Sequence, residues 1–319
     1  MSRPAVARTP EEDPDHPRRR GAPATDGSGP LTDDDLAGFY RALGLPGLVD
    51  IHVHFMPERL LGKVWAYFDR VPPEFGMQWP IRYRHDEQTR IETLRRLGVL
   101  AHTALSYPHK PGMAPWLIGW GREFAGRVEG CVPTGTFFPE PEAAGYVAEA
   151  VADGVRVFKA HLQVGGYDPT DPLLDPVWGL LAEAGTPVVC HCGSGPFPGR
   201  FTGPGPISAV LARHPRLTLV IAHCGSPEYA EFLDLAARYP NVHLDTTMVF
   251  TDFSERRAPF PAELLPRLRD LGDRVVLGSD YPNIPYPYAH QVAVLARLGL
   301  GDEWLRAVLH HNGARLLAG

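Results

Sequence analysis

The chain has 319 residues, of which 44% are hydrophobic and 21% charged, a composition typical of a globular protein with a large core. Its formal net charge of −6 gives no electrostatic support for nucleic-acid binding. No apolar run approaches the roughly 20 residues of a membrane span, so no membrane role is expected. The four cysteines lie in apolar, strand-like runs, which indicates buried, reduced thiols in a cytoplasmic protein.

The first part of the chain differs from the rest in composition. Residues 1–30 are rich in Pro, Arg, Asp, Glu, Gly and Ser and contain few large apolar residues. Such a segment cannot bury enough surface to fold, so we predict a disordered tail. The run Arg18-Arg19-Arg20 is not followed by an apolar segment, which argues against an export signal. One folded domain is expected over 31–319, opening with a short helix capped around Thr32.

From Leu48 onward, short apolar runs alternate with helical patterns at a spacing of about 25 to 35 residues, the size of a βα unit. Each strand run is apolar throughout, as expected when both faces of a sheet are buried. The repetition predicts an α/β fold, a (β/α)8 TIM barrel, with a doubly wound sheet as the alternative. The absence of a Gly-x-Gly-x-x-Gly turn after the first strand disfavours a dinucleotide-binding sheet. Strands are predicted at 48–54, 98–105, 128–136, 154–161, 187–192, 217–224, 241–247 and 273–280, and helices near 87–97, 141–152, 173–185, 206–214, 227–239, 261–271, 288–299 and 302–317.

The connection over residues 55–86 is long and rich in aromatic side chains. We interpret it as an insertion that either packs on itself as a subdomain or covers the barrel mouth as a lid.

Several predicted strands end in residues that can bind a metal ion. Histidines two residues apart on a strand project from the same face, and the catalytic residues of a TIM barrel lie at the C-terminal ends of its strands. Buried charges without a partner are costly, so this cluster implies a compensating cation. We therefore predict a metal site where these strands end. Its candidate residues are His52 and His54 on the first strand, Lys159 and His161 on the fourth, His191 on the fifth, His223 on the sixth and Asp280 on the eighth.

The ordered set of these residues resembles the amidohydrolase superfamily. More narrowly, the motifs starting at Asp50 (Asp-Ile-His-Val-His-Phe-Met-Pro), Phe158 (Phe-Lys-Ala-His) and Gly278 (Gly-Ser-Asp-Tyr-Pro) resemble the amidohydrolase-related group that includes aminocarboxymuconate semialdehyde decarboxylase. The resemblance covers residues 48–317. It implies a small-molecule substrate, and by analogy it favours a homodimer.

The resemblance also implies roles for individual residues. The metal ligands would be His52, His54, His191 and Asp280, with His223 and Asp280 as the catalytic residues. The implied cofactor is one divalent metal ion, with Zn²⁺ preferred and Mn²⁺ as the alternative. Three imidazoles and a carboxylate would leave a coordination position open for water, whose pKa the metal lowers toward about 7. Asp280 would take a proton from that water, and His223 would stabilise negative charge on the substrate oxygen.

Lys159 and the nature of the reaction stay open at this stage. In binuclear members of the superfamily a carboxylated lysine at the position of Lys159 bridges two metals. In the mononuclear group Lys159 would hold a substrate carboxylate or contact a metal ligand from behind. A structural ion pair with a neighbouring carboxylate is the further alternative. His161 and Arg200 are further candidates for binding an anionic substrate. The leading function is a metal-dependent hydrolase of an amide, ester or lactone. The alternatives are a nonoxidative decarboxylase of an aromatic or unsaturated acid, and a barrel that binds metal without catalysis.

Overall fold

The computed structural model describes residues 27–70 and 78–318. Within them, eight parallel strands alternate with helices along the chain, as the apolar repeats predict. The strands are β1 (Leu48–Asp50), β2 (Val99–His102), β3 (Thr134–Thr136), β4 (Val157–His161), β5 (Val188–His191), β6 (Leu219–Ile221), β7 (Val242–Asp245) and β8 (Val275–Val276).

The strands close into a barrel. β1 pairs with β2, and β3 to β8 pair in sequence order. The two sheets join on one side through His102, whose N–H donates to Gly130 O at 2.8 Å while Val132 N–H donates to His102 O at 2.9 Å. On the other side, Ile51 N–H donates to Leu277 O at 3.1 Å. The predicted TIM barrel is confirmed, and the doubly wound alternative is wrong.

The helices surround the barrel. The prediction omitted α4, the helix between β2 and β3, and 302–317 contains three helical segments rather than one. In the described residues, no helix is both long and apolar enough to cross a membrane. The helices are α1 (Leu36–Ala42), α2 (Glu58–Phe68), α3 (Glu87–Arg96), α4 (Ala114–Arg127), α5 (Ala143–Ala152), α6 (Leu162–Gly165), α7 (Asp175–Ala184), α8 (Pro204–Arg213), α9 (Tyr229–Arg238), α10 (Asp252–Glu255), α11 (Leu265–Asp270), α12 (Tyr288–Arg297), α13 (Asp302–Arg306), a π-helix (Ala307–His311) and α14 (Asn312–Ala318).

Two apolar layers hold the fold together, because each strand buries both of its faces. The larger layer lies between the strands and the surrounding helices. The smaller layer fills the barrel interior and supports the polar residues at the C-terminal ends of the strands. It comprises Val49, Ile51, Leu105, Val157, Val189, Val220, Ala222, Val276 and Leu317.

The N-terminal segment joins the barrel before β1. A capping box forms between Thr32 and Asp35, which agrees with the predicted helix start. Asp33 accepts hydrogen bonds from Tyr83 Oη and Ala289 N, so this segment is tied to the connection after β1 and to α12. Residues 1–26 of the predicted disordered tail lie outside the described residues, as do residues 71–77 of the predicted insertion.

Several strands end earlier than predicted. β1, β6 and β8 stop at Asp50, Ile221 and Val276, three to four residues short of the predicted ends. At the latter two ends the backbone then turns into the left-handed region, with φ of 55° at His223 and 71° at Asp280. These side chains therefore stand on sharp turns above the barrel rather than within the strands.

Candidate metal centre and active site

Three of the predicted metal ligands converge above the barrel interior. His54 Nε2 lies 2.8 Å from Asp280 Oδ1, and His52 Nε2 lies 3.7 Å from the same oxygen. One ligand atom from each residue lies within 4.8 Å of the other two. Two imidazole nitrogens and a carboxylate oxygen at this spacing form a donor set for a divalent cation such as Zn²⁺ or Mn²⁺.

The tautomers of the two histidines support this assignment. His52 Nδ1 lies 2.8 Å from Asp245 Oδ2, and His54 Nδ1 lies 2.9 Å from Leu105 O. Because both partners can only accept, each Nδ1 carries the proton and each Nε2 of a neutral ring is an acceptor. Two acceptors, His54 Nε2 and Asp280 Oδ1, then face each other at 2.8 Å. Such a contact is favourable when a cation lies between them, so the residues fit a metal ion.

Asp245 is a site residue that the sequence analysis missed. Its Oδ2 accepts from His52 Nδ1, and its Oδ1 accepts from the backbone N–H groups of His223 and Thr247 at 2.8 and 3.0 Å. Burial alone would raise the pKa of this carboxyl, but its contacts with His52 and His223 lower the pKa below its usual value. Asp245 is the last residue of the seventh strand, and Asp280 follows the eighth strand. An aspartate at the end of an apolar strand run was therefore the sequence signal that could have identified it.

Lys159 lies inside the same cluster. Its Nζ is 3.0 Å from His52 Nε2, so the amine donates to the lone pair that a metal would use. The side chain is 1% exposed, and burial lowers its pKa. The cluster contains two carboxylates, Asp245 and Asp280, but only one amine, that of Lys159. A metal cation would therefore compensate the remaining negative charge.

His191 and His161 stand beside the three converging ligands. Their rings stack with centroids 4.1 Å apart and planes 9° apart. His191 Nε2 lies 2.8 Å from Gly195 O, so this nitrogen donates to the loop after β5. Metal binding by Nε2 of His191 would require that hydrogen bond to break, and the group of atoms within 4.8 Å does not include this residue. Its role as a ligand stays a prediction.

His223 also lies beside His52. Its ring centroid is 5.3 Å from that of His52 and 4.8 Å from that of His191. Its Nδ1 lies 3.1 Å from Thr247 O, an acceptor, so Nδ1 carries the proton. When the ring is neutral, Nε2 is an acceptor. Burial lowers the pKa of this imidazole.

A cavity of about 430 Å³ opens above these residues. Its floor contains the three converging ligands together with Lys159, His161, His191 and His223. Its walls are mostly apolar and aromatic, which suits a small-molecule ligand. The walls comprise Met56, Leu60, Lys63, Val64, Tyr67, Phe68, Trp79, Tyr107, His109, Gln163, Val164, Pro196, Phe197 and Asn283.

Residues of the 55–86 connection form one side of this cavity. The indole nitrogens of Trp65 and Trp79 donate to Asn283, at its Oδ1 and its backbone oxygen, at 3.0 and 2.7 Å. Arg90 of α3 is buried and lies over the Trp65 ring, 5.6 Å from its centroid. The described part of the connection is therefore anchored to the loop after β8 and contributes directly to the cavity wall.

Two further observations concern Tyr107, a residue of the cavity wall, and Arg200, which lies outside it. Tyr107, which the sequence analysis missed, lies edge-on to His54 and 4.7 Å from the His161 ring. Its position just after the second strand run was the available signal. Arg200 is exposed and stacks over Phe201, 5.1 Å from the ring centroid. It is not among the residues that line the cavity, so its position gives no support to the predicted role in substrate binding.

Comparison with known proteins agrees with this geometry. A model of the amidohydrolase family matches residues 49–318. The chain therefore belongs to the amidohydrolase family, and the predicted resemblance is confirmed. No curated protein matches the chain.

Solved structures share the fold at low sequence identity. An uncharacterised TIM-barrel protein from Bordetella bronchiseptica is 20% identical with a TM-score of 0.68, covering 85% of this chain and 98% of its own. A probable 2-pyrone-4,6-dicarboxylic acid hydrolase from Acinetobacter baumannii is 13% identical with a TM-score of 0.59, covering 86% and 100%. A 5-carboxyvanillate decarboxylase from Novosphingobium aromaticivorans, complexed with manganese, is 13% identical with a TM-score of 0.58, covering 86% and 96%.

Proposed function

We propose that this protein is a metal-dependent hydrolase of an amide, ester or lactone. The observation that carries the proposal is the convergence of His52, His54 and Asp280 within 4.8 Å at the floor of a largely apolar cavity. A divalent cation held by these residues supplies Lewis-acid chemistry and lowers the pKa of a water molecule to about 7. A substrate carbonyl in the cavity would lie next to both the carboxylate and the histidines.

The residues of the chain divide the remaining work. Asp280 is the general base, because its carboxylate faces the cavity from a turn that directs it toward His54. His223 donates from Nδ1 to Thr247 O, so Nε2 of the neutral ring is an acceptor. It would therefore accept a hydrogen bond from the attacking water and orient it, instead of stabilising negative charge on the substrate oxygen as the resemblance implied. Asp245 holds the tautomer of His52 and the backbone of the turn at His223, so it acts as a positioning residue.

The proposed reaction balances as a hydrolysis. The oxygen of water bonds to the carbonyl carbon, and the bond from that carbon to the ester oxygen or amide nitrogen breaks. The proton taken by Asp280 passes to the leaving oxygen or nitrogen, so the products are an acid and an alcohol or amine, or a hydroxy acid from a lactone.

We propose one ion per chain, with Zn²⁺ as the first choice because two imidazoles and one carboxylate match its common catalytic donors. Mn²⁺ is the second choice, supported by the manganese in the structure of the decarboxylase from Novosphingobium aromaticivorans.

One observation favours decarboxylation as a second candidate. The buried amine of Lys159 lines the cavity beside the three ligands, where it would pair with the carboxylate of an aromatic acid. Against this, the cavity lining in the described residues contains no arginine to clamp a carboxylate in a bidentate pair. The fold is shared with both a hydrolase and a decarboxylase, so the fold does not discriminate between them.

The test combines metal content with a reaction screen. Protein prepared with Zn²⁺ or Mn²⁺ is analysed for bound metal and assayed with aryl esters, anilides, lactones and aromatic acids, with CO₂ release as the readout for the last. We expect about one ion per chain and metal-dependent hydrolysis. The variants His52→Ala and His54→Ala should lose both, whereas His214→Ala, which pairs with Asp175 away from the cavity, should keep both. A metal-free wild type would contradict the proposal, and CO₂ release without hydrolysis would select the second candidate.

A further inference from the structure

A second cavity adjoins the first on the far side of His223. It has a volume of about 290 Å³ and lies between the loops that follow β5, β6 and β7. Three residues line both cavities: Trp79, Pro196 and His223. The two spaces therefore adjoin at these residues, one of which is the candidate catalytic histidine.

The second cavity is mainly apolar. Met248, Val249, Phe253 and Ala258 contribute hydrocarbon surface. Arg257 also belongs to the lining, and its guanidinium lies 6.0 Å from the Phe197 ring centroid. Three hydroxyls of its lining, those of Ser194, Ser226 and Tyr229, already have partners within the protein. Tyr229 Oη donates to Ser226 Oγ at 3.1 Å, and Thr202 Oγ1 donates to Ser194 Oγ at 3.3 Å. A ligand here would gain free energy mostly by burying apolar groups.

We infer that the substrate is an open-chain ester or amide with an apolar group on each side of the carbonyl, one group in each cavity. This inference rests on the proposed hydrolysis at His52, His54 and Asp280. A carbonyl near His223 has two substituents, and the structure provides a separate space for each. A decarboxylation substrate has only one bulky substituent, because the group lost is CO₂.

The size of the second cavity supports a substantial group rather than a methyl. Ligand pockets start at roughly 300 Å³, and this cavity, at about 290 Å³, is close to that limit. A lactone, whose two substituents are joined in one ring, would use one cavity only. An open-chain substrate is the class that uses both.

The test uses 4-nitrophenyl esters with acyl chains from acetyl to hexanoyl, and acetate esters of phenols of increasing size. Each buried methylene is expected to raise kcat/KM about fourfold until the cavity is full. Ala258→Phe fills the second cavity, and Val64→Phe is the matched variant in the first. We expect each variant to abolish the size dependence for one side of the ester and to leave it for the other.

A binding measurement separates failure of this inference from failure of the hydrolase proposal. Aryl alkyl phosphonate monoesters have the two substituents but are not turned over, and their Kd can be measured on the metal-loaded protein by calorimetry. One outcome is that no ester or amide is hydrolysed, but phosphonate affinity depends on both substituents and each variant removes one of these dependences. In that case the two-cavity inference stands and the hydrolase proposal fails. If esters are hydrolysed but both variants act on the same substituent, or Ala258→Phe has no effect, the two-cavity inference is overturned and hydrolysis stands.

Discussion

Asp245→Asn should weaken metal binding although this residue is not itself a ligand. The carboxylate accepts three hydrogen bonds, from His52 Nδ1 and from the backbone N–H groups of His223 and Thr247. An amide has one acceptor and one donor end, so it cannot satisfy all three donors. Its oxygen is expected to face the two backbone N–H groups, because facing its NH₂ toward them would leave two buried donors unpaired.

That orientation changes the tautomer of His52. The amide NH₂ then faces Nδ1, which must accept, and the ring proton moves to Nε2, the nitrogen directed at the metal. Loss of such a supporting partner costs about 10–100-fold in metal affinity, or about 1.4–2.7 kcal/mol. A hydrogen bond to a charged partner is worth about 1.5–3 kcal/mol. We therefore expect the Kd for Zn²⁺ to rise by about 100-fold, at the upper end of this range.

The assay is a competition titration against a chromophoric chelator near neutral pH, with nitrogen NMR shifts of His52 as a second readout of the tautomer. Asp50→Asn is the matched control. Asp50 is also buried, but it accepts from the backbone N–H of His52 and from Tyr288 Oη and touches no imidazole nitrogen. The control should lower stability and leave the Kd within about threefold, which is under 1 kcal/mol. A Kd for Asp245→Asn within that same range would refute the reasoning.

Three other substitutions test separate parts of the site and fold. Lys159→Met removes the amine that occupies the lone pair of His52, so metal analysis should find one ion per chain, bound at least as tightly as in the wild type. Gly278→Ala adds a Cβ that would lie 2.1 Å from Thr247 Oγ1 and 2.8 Å from His52 Cβ, so thermal unfolding should show a loss of about 1–3 kcal/mol, and bound metal should fall. Burial lowers the pKa of His243 from 6.5 to about 4. The unfolded chain therefore binds the extra proton, and stability falls as the pH drops from 6.5 to 4, by about 3 kcal/mol from this residue. Urea unfolding of His243→Asn should lack that part of the decline.

Each of these predictions has an outcome that would contradict it. A decrease from two ions to one in Lys159→Met would support a carboxylated lysine that bridges two metals. Unchanged metal content in Gly278→Ala would mean that the turn before Asp280 can move without disturbing His52. Parallel urea curves for wild type and His243→Asn between pH 7 and 4 would show that this histidine is protonated in the folded state.

The order of the strands and three of the converging residues, His52, His54 and Asp280, were readable from the chain. Apolar runs at βα spacing predict parallel strands, and parallel strands of a barrel end at one face. Residues as far apart in sequence as His52 and Asp280 could therefore be placed together without coordinates. The predicted strand ends extended too far because the pattern of apolar residues does not show where the backbone leaves the ladder, as it does at Asp280 with its positive φ.

Hydrogen-bond partners at the site were decided only by the tertiary structure. Asp245 and His52 form a hydrogen bond although they are 193 residues apart in sequence. The carbonyl oxygen of Gly195, on the loop after β5, accepts a hydrogen bond from Nε2 of His191. The division of space into two cavities likewise depends on how loops pack across His223. A residue type and its place on a strand determine which chemistry is available. The direction of each lone pair and the shape of the space above it depend on contacts between distant segments, which no local pattern encodes.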